Sequence, residues 1–531
     1  MSNKKFTEFE SFKKLQHLAL APYDLTQNTA LNGERLRNYC SYSQCFTLVY
    51  GMERINDDVL IELENLAKEA DLFNKMQAMQ RGEIINFIKG VESEERAVLH
   101  TALRAFVALP ISSQEKVAQD AARAAAREFN KLNLFLDKNG HKFSSLIQVG
   151  IGGSELGPKA MVTALQKYAI KDKKAYFVSN VDPDEIGILL PLLDLSKTLV
   201  VIVSKSGSTL ETQTNEKLLK NIFEKEGYCI RDHFIAVTEE NSLMDNKEEY
   251  AEVFYIWDYI GGRYSVSSMV GGVVLSFLYG MDVFRSFLEG AHYMDQVALR
   301  DSFKDNLPMM AALLGIWNRN FLDYPGLAIL PYSRALSELP AHIQQCDMES
   351  NGKQIDKEGN MVNFKTGPSV WGEPGVNGQH SFYQSLYQGT DIIPVEFIGF
   401  RENQTSFDGV VDGTTSQQKL IANLLAQSIA LAQGRSSTNA NKLFKGNRPS
   451  RLLIGKSLTP FSLGALISFY EHKIAFQGFC WNINSFDQEG VQLGKVLAHQ
   501  ILGILSGHAE PASFPEATVL SEVITGKTLS V

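Results

Sequence analysis

Apolar residues recur at helical spacing through Val59-Leu60-Ile61-Glu62-Leu63 and onward to Leu72, and again around Ile84 to Ile88. Residues 1 to about 110 therefore read as helical. Residues 114–135, rich in alanine with Lys, Arg and Glu, predict a further strong helix. The pattern then changes. Ser145 to Gly150 is a short apolar strand ending in glycine, and a helix follows from about Leu156 to Tyr168. Lys174 to Ser179, the fully apolar Thr198 to Val203, and His233 to Thr238 read as further strands, with a helix over Leu210 to Phe223. Fully apolar strands suit a parallel sheet covered on both faces, and the alternation predicts βαβ units over roughly 115–285. A second succession follows: a strand at Leu327–Leu330, a helix over 334–346, an extended run from Asp391 to Phe400, a helix over 415–433, a strand at Leu452–Ile454, and helices over 461–478 and 488–505. The tail from Glu510, with Pro511 and Pro515, reads as an arm. The expected class is α/β: two αβα sandwiches with parallel sheets, a helical segment 1–114, domains over 115–285 and 286–509, and a C-terminal arm 510–531.

Composition narrows the class of function. The chain has 531 residues, 44% hydrophobic and 21% charged, enough to bury several cores. A formal charge of −9 spread over that surface argues against a dedicated nucleic-acid or anionic-membrane binder. The opening MSNKKFTEFESFKK is charged throughout and lacks the apolar core of a signal peptide. The long uncharged stretch from Tyr264 to Met281 carries serines and glycines, and reads as a buried helix instead of a membrane span. Five scattered cysteines form no Cys-x-x-Cys, so neither a disulfide framework nor a zinc site is expected. Together these features predict a soluble cytoplasmic enzyme.

Six segments carry candidate chemistry. Val149-Gly150-Ile151-Gly152-Gly153-Ser154-Glu155-Leu156-Gly157 runs from strand to helix through glycines, a turn that lets backbone N–H groups approach an anion. It departs from the dinucleotide fingerprint, with Glu155 where the third glycine belongs, and from the nucleotide P-loop, with Pro158 after Gly157. Gly455-Lys456-Ser457 also departs, because Ser450 holds the required glycine position. A tight packing turn remains the alternative for the first segment. Ser204-Lys205-Ser206-Gly207-Ser208-Thr209-Leu210-Glu211-Thr212 follows the fully apolar strand, where ligands bind in open α/β sheets. Its hydroxyls and N–H groups suit a phosphate monoester, and a capped polar loop is the alternative. Gly261-Gly262-Arg263-Tyr264-Ser265 offers an arginine that is costly to bury without an anion. In Gln344-Gln345-Cys346-Asp347-Met348-Glu349-Ser350-Asn351-Gly352-Lys353 a polar cluster ends an apolar helix. Trp371 to Gln384 is a glycine-rich loop that carries His380, and Trp481 to Val491 leads to Lys495. By composition alone, Glu349 and Lys495 are solvated charges and His380 a structural helix-start histidine.

The set as a whole resembles the phosphoglucose isomerase (glucose-6-phosphate isomerase) family, in order over roughly residues 145–500. Met-Glu-Ser-Asn-Gly-Lys, Gly-Glu-Pro-Gly-x-Asn-Gly-Gln-His and Phe-Asp-Gln-x-Gly-Val carry the resemblance together. It implies two sugar-isomerase (SIS) domains and a homodimer with shared active sites, His380 entering from the partner chain. It places Gly153 and Ser154 at the first sugar-phosphate contact, Ser204, Lys205, Ser206, Gly207, Ser208 and Thr209 on the phosphate loop, and Gln345 and Gln488 at further substrate contacts. Glu349 matches the catalytic base, Arg263 the residue beside it, and Lys495 the end of the C-terminal motif.

The implied reaction is aldose–ketose isomerisation of glucose 6-phosphate and fructose 6-phosphate, which requires no redox change and no metal or cofactor. His380 and Lys495 suit proton movement between O1 and O5 during ring opening, with Glu211 a candidate to orient the imidazole. Glu349 suits transfer between C2 and C1 through a cis-enediol(ate), and Arg263 suits stabilising the developing charge. The chain departs from the family at Glu489 and Gln492, where tryptophan and glutamate are usual, and at Ser267, where an aromatic is usual. Other SIS-domain enzymes, such as a phosphomannose-active isomerase or the isomerising half of an aminotransferase, and a sugar-phosphate sensor without turnover, are the alternatives.

Overall fold

The computed structural model describes residues 5–108, 110–111, 115–405 and 407–526. Gln114, where the alanine-rich helix is expected to begin, and residues 527–531 of the expected arm lie outside them. The described residues up to Ser485 form one compact unit and those from Phe486 onward a second.

The N-terminal part is not wholly helical. Cys40–Tyr42 (β1) and Phe46–Val49 (β2) form an antiparallel hairpin. Runs of three and four residues are too short to show a two-residue period against the surrounding helices. The helical reading around Ile84 also fails. Gly82, at φ +86°, ends helix Leu72–Arg81, and Ile84–Asn86 (β3) then pairs antiparallel with Arg96–Ala97 (β4). Glycine adopts that left-handed φ without steric cost, so the chain turns there.

The first large sheet comprises Ser145–Val149 (β5), Lys174–Val178 (β6), Thr198–Val203 (β7), Phe234–Thr238 (β8) and Glu252–Tyr255 (β9). Their order is β6-β5-β7-β8-β9, parallel throughout. Ile147, Val149, Val200, Ile202 and Phe234 build its core with Leu219 and Phe223 of helix Leu210–Lys225. The half-buried β9 has only four residues and escapes a periodicity reading.

The second sheet uses Gly326–Pro331 (β10), Ser369–Trp371 (β11), Val395–Phe400 (β12) and, after a small exposed hairpin of Val410–Val411 (β13) and Thr414–Thr415 (β14), Ser450–Gly455 (β15). Its order is β1-β2-β15-β12-β10-β11. The four later strands are parallel, while the N-terminal hairpin adds antiparallel strands at the β15 edge. The second sheet thus has the expected parallel strands, extended at one edge by an antiparallel hairpin from the N-terminal segment.

Helix Met281–Ala298, which follows the first sheet, packs on helix Pro460–Trp481, which follows the second. A Cβ at Gly290 would lie 1.8 Å from the Phe461 carbonyl oxygen, and one at Gly464 1.9 Å from that of Phe287. Glycine is thus required on both helices for this backbone approach. Every residue of helix Met269–Tyr279, the core of the uncharged stretch, is buried. Among the described residues no helix is long and apolar enough to cross a membrane. All five cysteines are free thiols.

Candidate active site

β5 and β7 are parallel neighbours with Val149 opposite Ile202, so the glycine turn after one and the serine-rich loop after the other leave the same end of the sheet. The first turn is a short 3₁₀ segment, Gly152–Ser154, with Gly152 at φ +62°. Gly153 is fixed by contact: a Cβ there would lie 2.1 Å from the Gly262 carbonyl oxygen, so the turn rests backbone to backbone on the segment that carries Arg263. A Cβ on Gly152 would lie 3.2 Å from Gln345 Nε2, which brings the segment Gln344 to Lys353 to the same place.

In the serine-rich loop, Gly207 takes φ +68° and the hydroxyls form a local network. Ser206 Oγ and Ser208 Oγ are 2.7 Å apart, and Ser204 Oγ lies 3.2 Å from Thr209 Oγ1. Ser206 and Ser208 are exposed, whereas Ser204 is buried. Lys205 does not point at open solvent. Its Nζ donates to the carbonyls of Asp258 at 2.7 Å and Ile260 at 3.2 Å, stapling the loop to the segment before Gly261-Gly262-Arg263. Burial pushes its ammonium below the usual lysine range.

Gln345 and Glu349 stand on helix Leu339–Asn351, started by Pro340 in its first turn and stopped at Gly352. The sequence reading ended this helix at 346; the polar residues after Cys346 continue it for one more turn, and the Asn-Gly pair marks its end. Gln345 Nε2 donates to Glu349 Oε2 at 3.0 Å, one helical turn away. Glu349 Oε1 faces Arg263 Nη1 at 3.3 Å. The guanidinium is sealed, at 0% side-chain exposure, while the carboxylate remains 22% exposed. The base candidate is therefore the member of the pair that faces the solvent-accessible side.

Arg263 is held by further bonds. Its Nε donates to Ser350 Oγ at 2.6 Å and its Nη2 to the Ser485 carbonyl at 2.7 Å. Cys346 Sγ donates to the Arg263 carbonyl at 3.3 Å. Neither Ser350 nor Ser485 figures among the site residues expected from sequence. Ser350 lies inside the Met-Glu-Ser-Asn-Gly-Lys motif, but nothing local indicates that its hydroxyl meets a side chain 87 positions earlier.

The other expected residues stand on other elements. Glu211 is half-buried in the first turn of helix Leu210–Lys225. His380 is exposed at the end of the 3₁₀ turn Asn377–His380, beyond β11 of the other sheet. Among the described residues the two share no hydrogen bond or ion pair. In the second unit, Gln488 precedes the 3₁₀ turn Glu489–Val491, and Lys495 is exposed on helix Gln492–Leu505. Of the departures, Glu489 and Gln492 are exposed. Ser267 is buried and lines a small cavity with Phe106, Phe129, Trp257 and Phe284.

On the same helix, the buried Asp347 meets the opposite surroundings from Glu349. Burial pushes its carboxyl up to about 6, against the pull of Lys473. A carboxyl that holds its proton more tightly when folded contributes stability below its unfolded pKa, near 3.8, and loses it as pH rises through 6. In Asp347→Asn that loss disappears. Thermal midpoints of the two proteins should diverge in favour of the variant between pH 4 and 6.5, by on the order of 3 kcal/mol in stability, and run parallel above that. A difference independent of pH would contradict this reading of Asp347.

The geometry matches known proteins closely. The family model for phosphoglucose isomerase matches residues 49–520. The glucose-6-phosphate isomerase of Chlamydia abortus is 54% identical over 98% of this chain and 98% of its own length. That of Chlamydia pneumoniae is 53% identical over the same shares. The crystal structure of a glucose-6-phosphate isomerase from Chlamydia trachomatis superposes with a TM-score of 0.95 at 51% identity, covering 98% of this chain and 99% of that one. A Thermus thermophilus protein of undescribed function shares the fold at a TM-score of 0.65 and 26% identity, over 83% of this chain and 96% of that one. With the family model covering most of its length and these relatives matching end to end, the chain belongs to the phosphoglucose isomerase family.

Proposed function

We propose that this chain interconverts D-glucose 6-phosphate and D-fructose 6-phosphate, and that Glu349 carries the proton between C2 and C1. The observation that supports this most strongly is the Glu349–Arg263 pair beside the glycine turn Gly152–Ser154, at the end of the sheet that bears the serine-rich loop. The hydroxyls of Ser204, Ser206, Ser208 and Thr209, with backbone N–H groups of the two turns, take the phosphate, while Lys205 braces the loop.

Ring opening comes first. A base takes the O1 hydroxyl proton, an acid delivers one to O5, and the C1–O5 bond breaks; His380 and Lys495 fill these roles, with Glu211 a candidate to orient the imidazole. Glu349 then removes the C2 proton, the electron pair forms the C1=C2 bond, and negative charge moves to O1. After a proton passes between O1 and O2, Glu349 returns its own proton to C1. C1 and C2 are adjacent, so one carboxylate serves both transfers from one face. The sealed Arg263 guanidinium stabilises the charge that develops beside it, because little water intervenes to screen it. Gln345 and Gln488 contact the sugar.

The same reading makes the enzyme a homodimer with His380 contributed by the partner chain. The exposure of His380 supports this, as do the apolar residues left exposed on the C-terminal helices, among them Leu493, Val519, Leu520, Val523 and Ile524. It retains two SIS domains over 115–285 and 286–509, segment 1–114 packed on the second, and 510–531 as an arm. Pairing of β2 with β15 supports the placement of 1–114. Five free thiols support a reducing, cytoplasmic setting.

Co-expression tests the shared site. Glu349→Gln and His380→Ala homodimers should each be nearly inactive. Random hybrids contain one site with both residues intact, so the mixture should recover about a quarter of wild-type turnover. No recovery from a confirmed hybrid would place Glu349 and His380 of one site on the same chain.

A further inference from the structure

Two consecutive pairs of residues, Arg263-Tyr264 and Glu349-Ser350, are cross-linked by three contacts: Arg263 to Glu349 at 3.3 Å, Arg263 Nε to Ser350 Oγ at 2.6 Å, and Tyr264 Oη to Ser350 Oγ at 2.7 Å. Ser350 is fully buried and Tyr264 is 1% exposed, so neither hydroxyl exchanges its partner for bulk water. A guanidinium is planar, and fixing Nε against Ser350 and Nη2 against the Ser485 carbonyl determines where Nη1 points. In this structure it points at Glu349.

The anchor extends further into the protein. The Tyr264 ring stacks on His100 with centroids 4.9 Å apart and planes 20° from parallel. His100 in turn sits 4.0 Å from Glu471, in the buried cluster of Arg104, Asp295, Glu471 and His472. The phenol is thus clamped along its face, and its oxygen is presented to Ser350 from a rigid base.

We infer that Ser350 and Tyr264 are positioning residues for the reaction: Ser350 orients the Arg263 guanidinium toward the proton-carrying carboxylate, and Tyr264 fixes the Ser350 hydroxyl. This rests on the role given to Arg263 above. Misplacing a catalytic group by a fraction of an ångström affects the reacting geometry more than substrate capture. Ser350→Ala should therefore lower kcat about 10- to 100-fold while KM for fructose 6-phosphate stays within about twofold. Tyr264→Phe removes only an oxygen from a ring that stays stacked, and should lower kcat by a smaller factor with KM again unchanged. It remains informative if the alanine variant does not fold.

The discriminating measurement repeats both substitutions in an Arg263→Ala background. If the two residues act through Arg263, neither lowers kcat there by more than about twofold. Losses that multiply in that background, or full kcat in folded Ser350→Ala and Tyr264→Phe, would overturn the positioning role and leave the Arg263 role standing. Full turnover in Arg263→Ala itself would overturn both.

Discussion

Glu349→Gln should lower turnover about 10²- to 10⁴-fold while leaving the affinity for fructose 6-phosphate within a few-fold of wild type. The amide has nearly the shape of the carboxylate and can still accept a hydrogen bond from Gln345, which now donates to Glu349 Oε2 at 3.0 Å. What it lacks is the ability to take a carbon-bound proton and return it. The proposed phosphate contacts lie on other segments, at Gly152–Ser154 and the serine-rich loop, so on that reading binding does not depend on the lost charge. Titration of the variant with fructose 6-phosphate, beside steady-state rates, separates the two effects. Affinity falling together with rate would make Glu349 a binding or structural residue.

Replacing Arg104 should be the most damaging single change away from the site. Its side chain is wholly buried, donating from Nε to Asp295 Oδ2 at 2.8 Å, from Nη1 to Glu471 Oε2 at 2.8 Å and from Nη2 to Ser468 Oγ at 2.9 Å. His472 Nε2 lies 2.7 Å from Asp295 Oδ1. Burial pushes the Asp295 carboxyl up, but Arg104 outweighs it and holds the group well below the carboxylate range. Burial also raises Glu471, and there it prevails over the pull of Arg104. Arg104→Met keeps most of the volume and leaves two buried carboxylates without their cation, at a cost of about 3–5 kcal/mol. Thermal unfolding should show a clearly lowered midpoint. The double variant Arg104→Met/Glu471→Gln should recover part of the loss, because one orphaned charge is gone. An unchanged midpoint for Arg104→Met would mean that the cluster does not hold the fold together.

The difference between Glu349 and Arg104 also shows what the sequence makes legible. Glu349, Arg263 and the two phosphate-compatible turns sit in short segments whose residue order carries their chemistry. The turns converge because β5 and β7 are neighbours, and a run of fully apolar strands already implies a parallel sheet with ligand loops at one end. Arg104 gives no such signal. It meets Asp295 and Glu471, 191 and 367 positions away, and only the packing of helices Met281–Ala298 and Pro460–Trp481 brings them together. Ser350 was hidden for the same reason. The hairpin of β1 and β2 escapes because its strands are too short for a periodic signal, and β3 because Ile84, Ile85, Phe87 and Ile88 follow helical spacing while the pairing with β4 leaves no local trace. Helix Leu339–Asn351 outran its expected end because polar residues on a face lining a site resemble the polar residues that end a helix.

In the proposed mechanism one carboxylate, on Glu349, moves the proton between C2 and C1. The most direct measurement follows deuterium by NMR while wild type and Glu349→Gln act on glucose 6-phosphate and fructose 6-phosphate in D₂O. The wild type should place deuterium at C2 of the aldose and at only one of the two C1 positions of the ketose, and Glu349→Gln should do neither at a comparable rate. Wild-type exchange in Glu349→Gln, or label in both C1 positions, would contradict a single base working on one face.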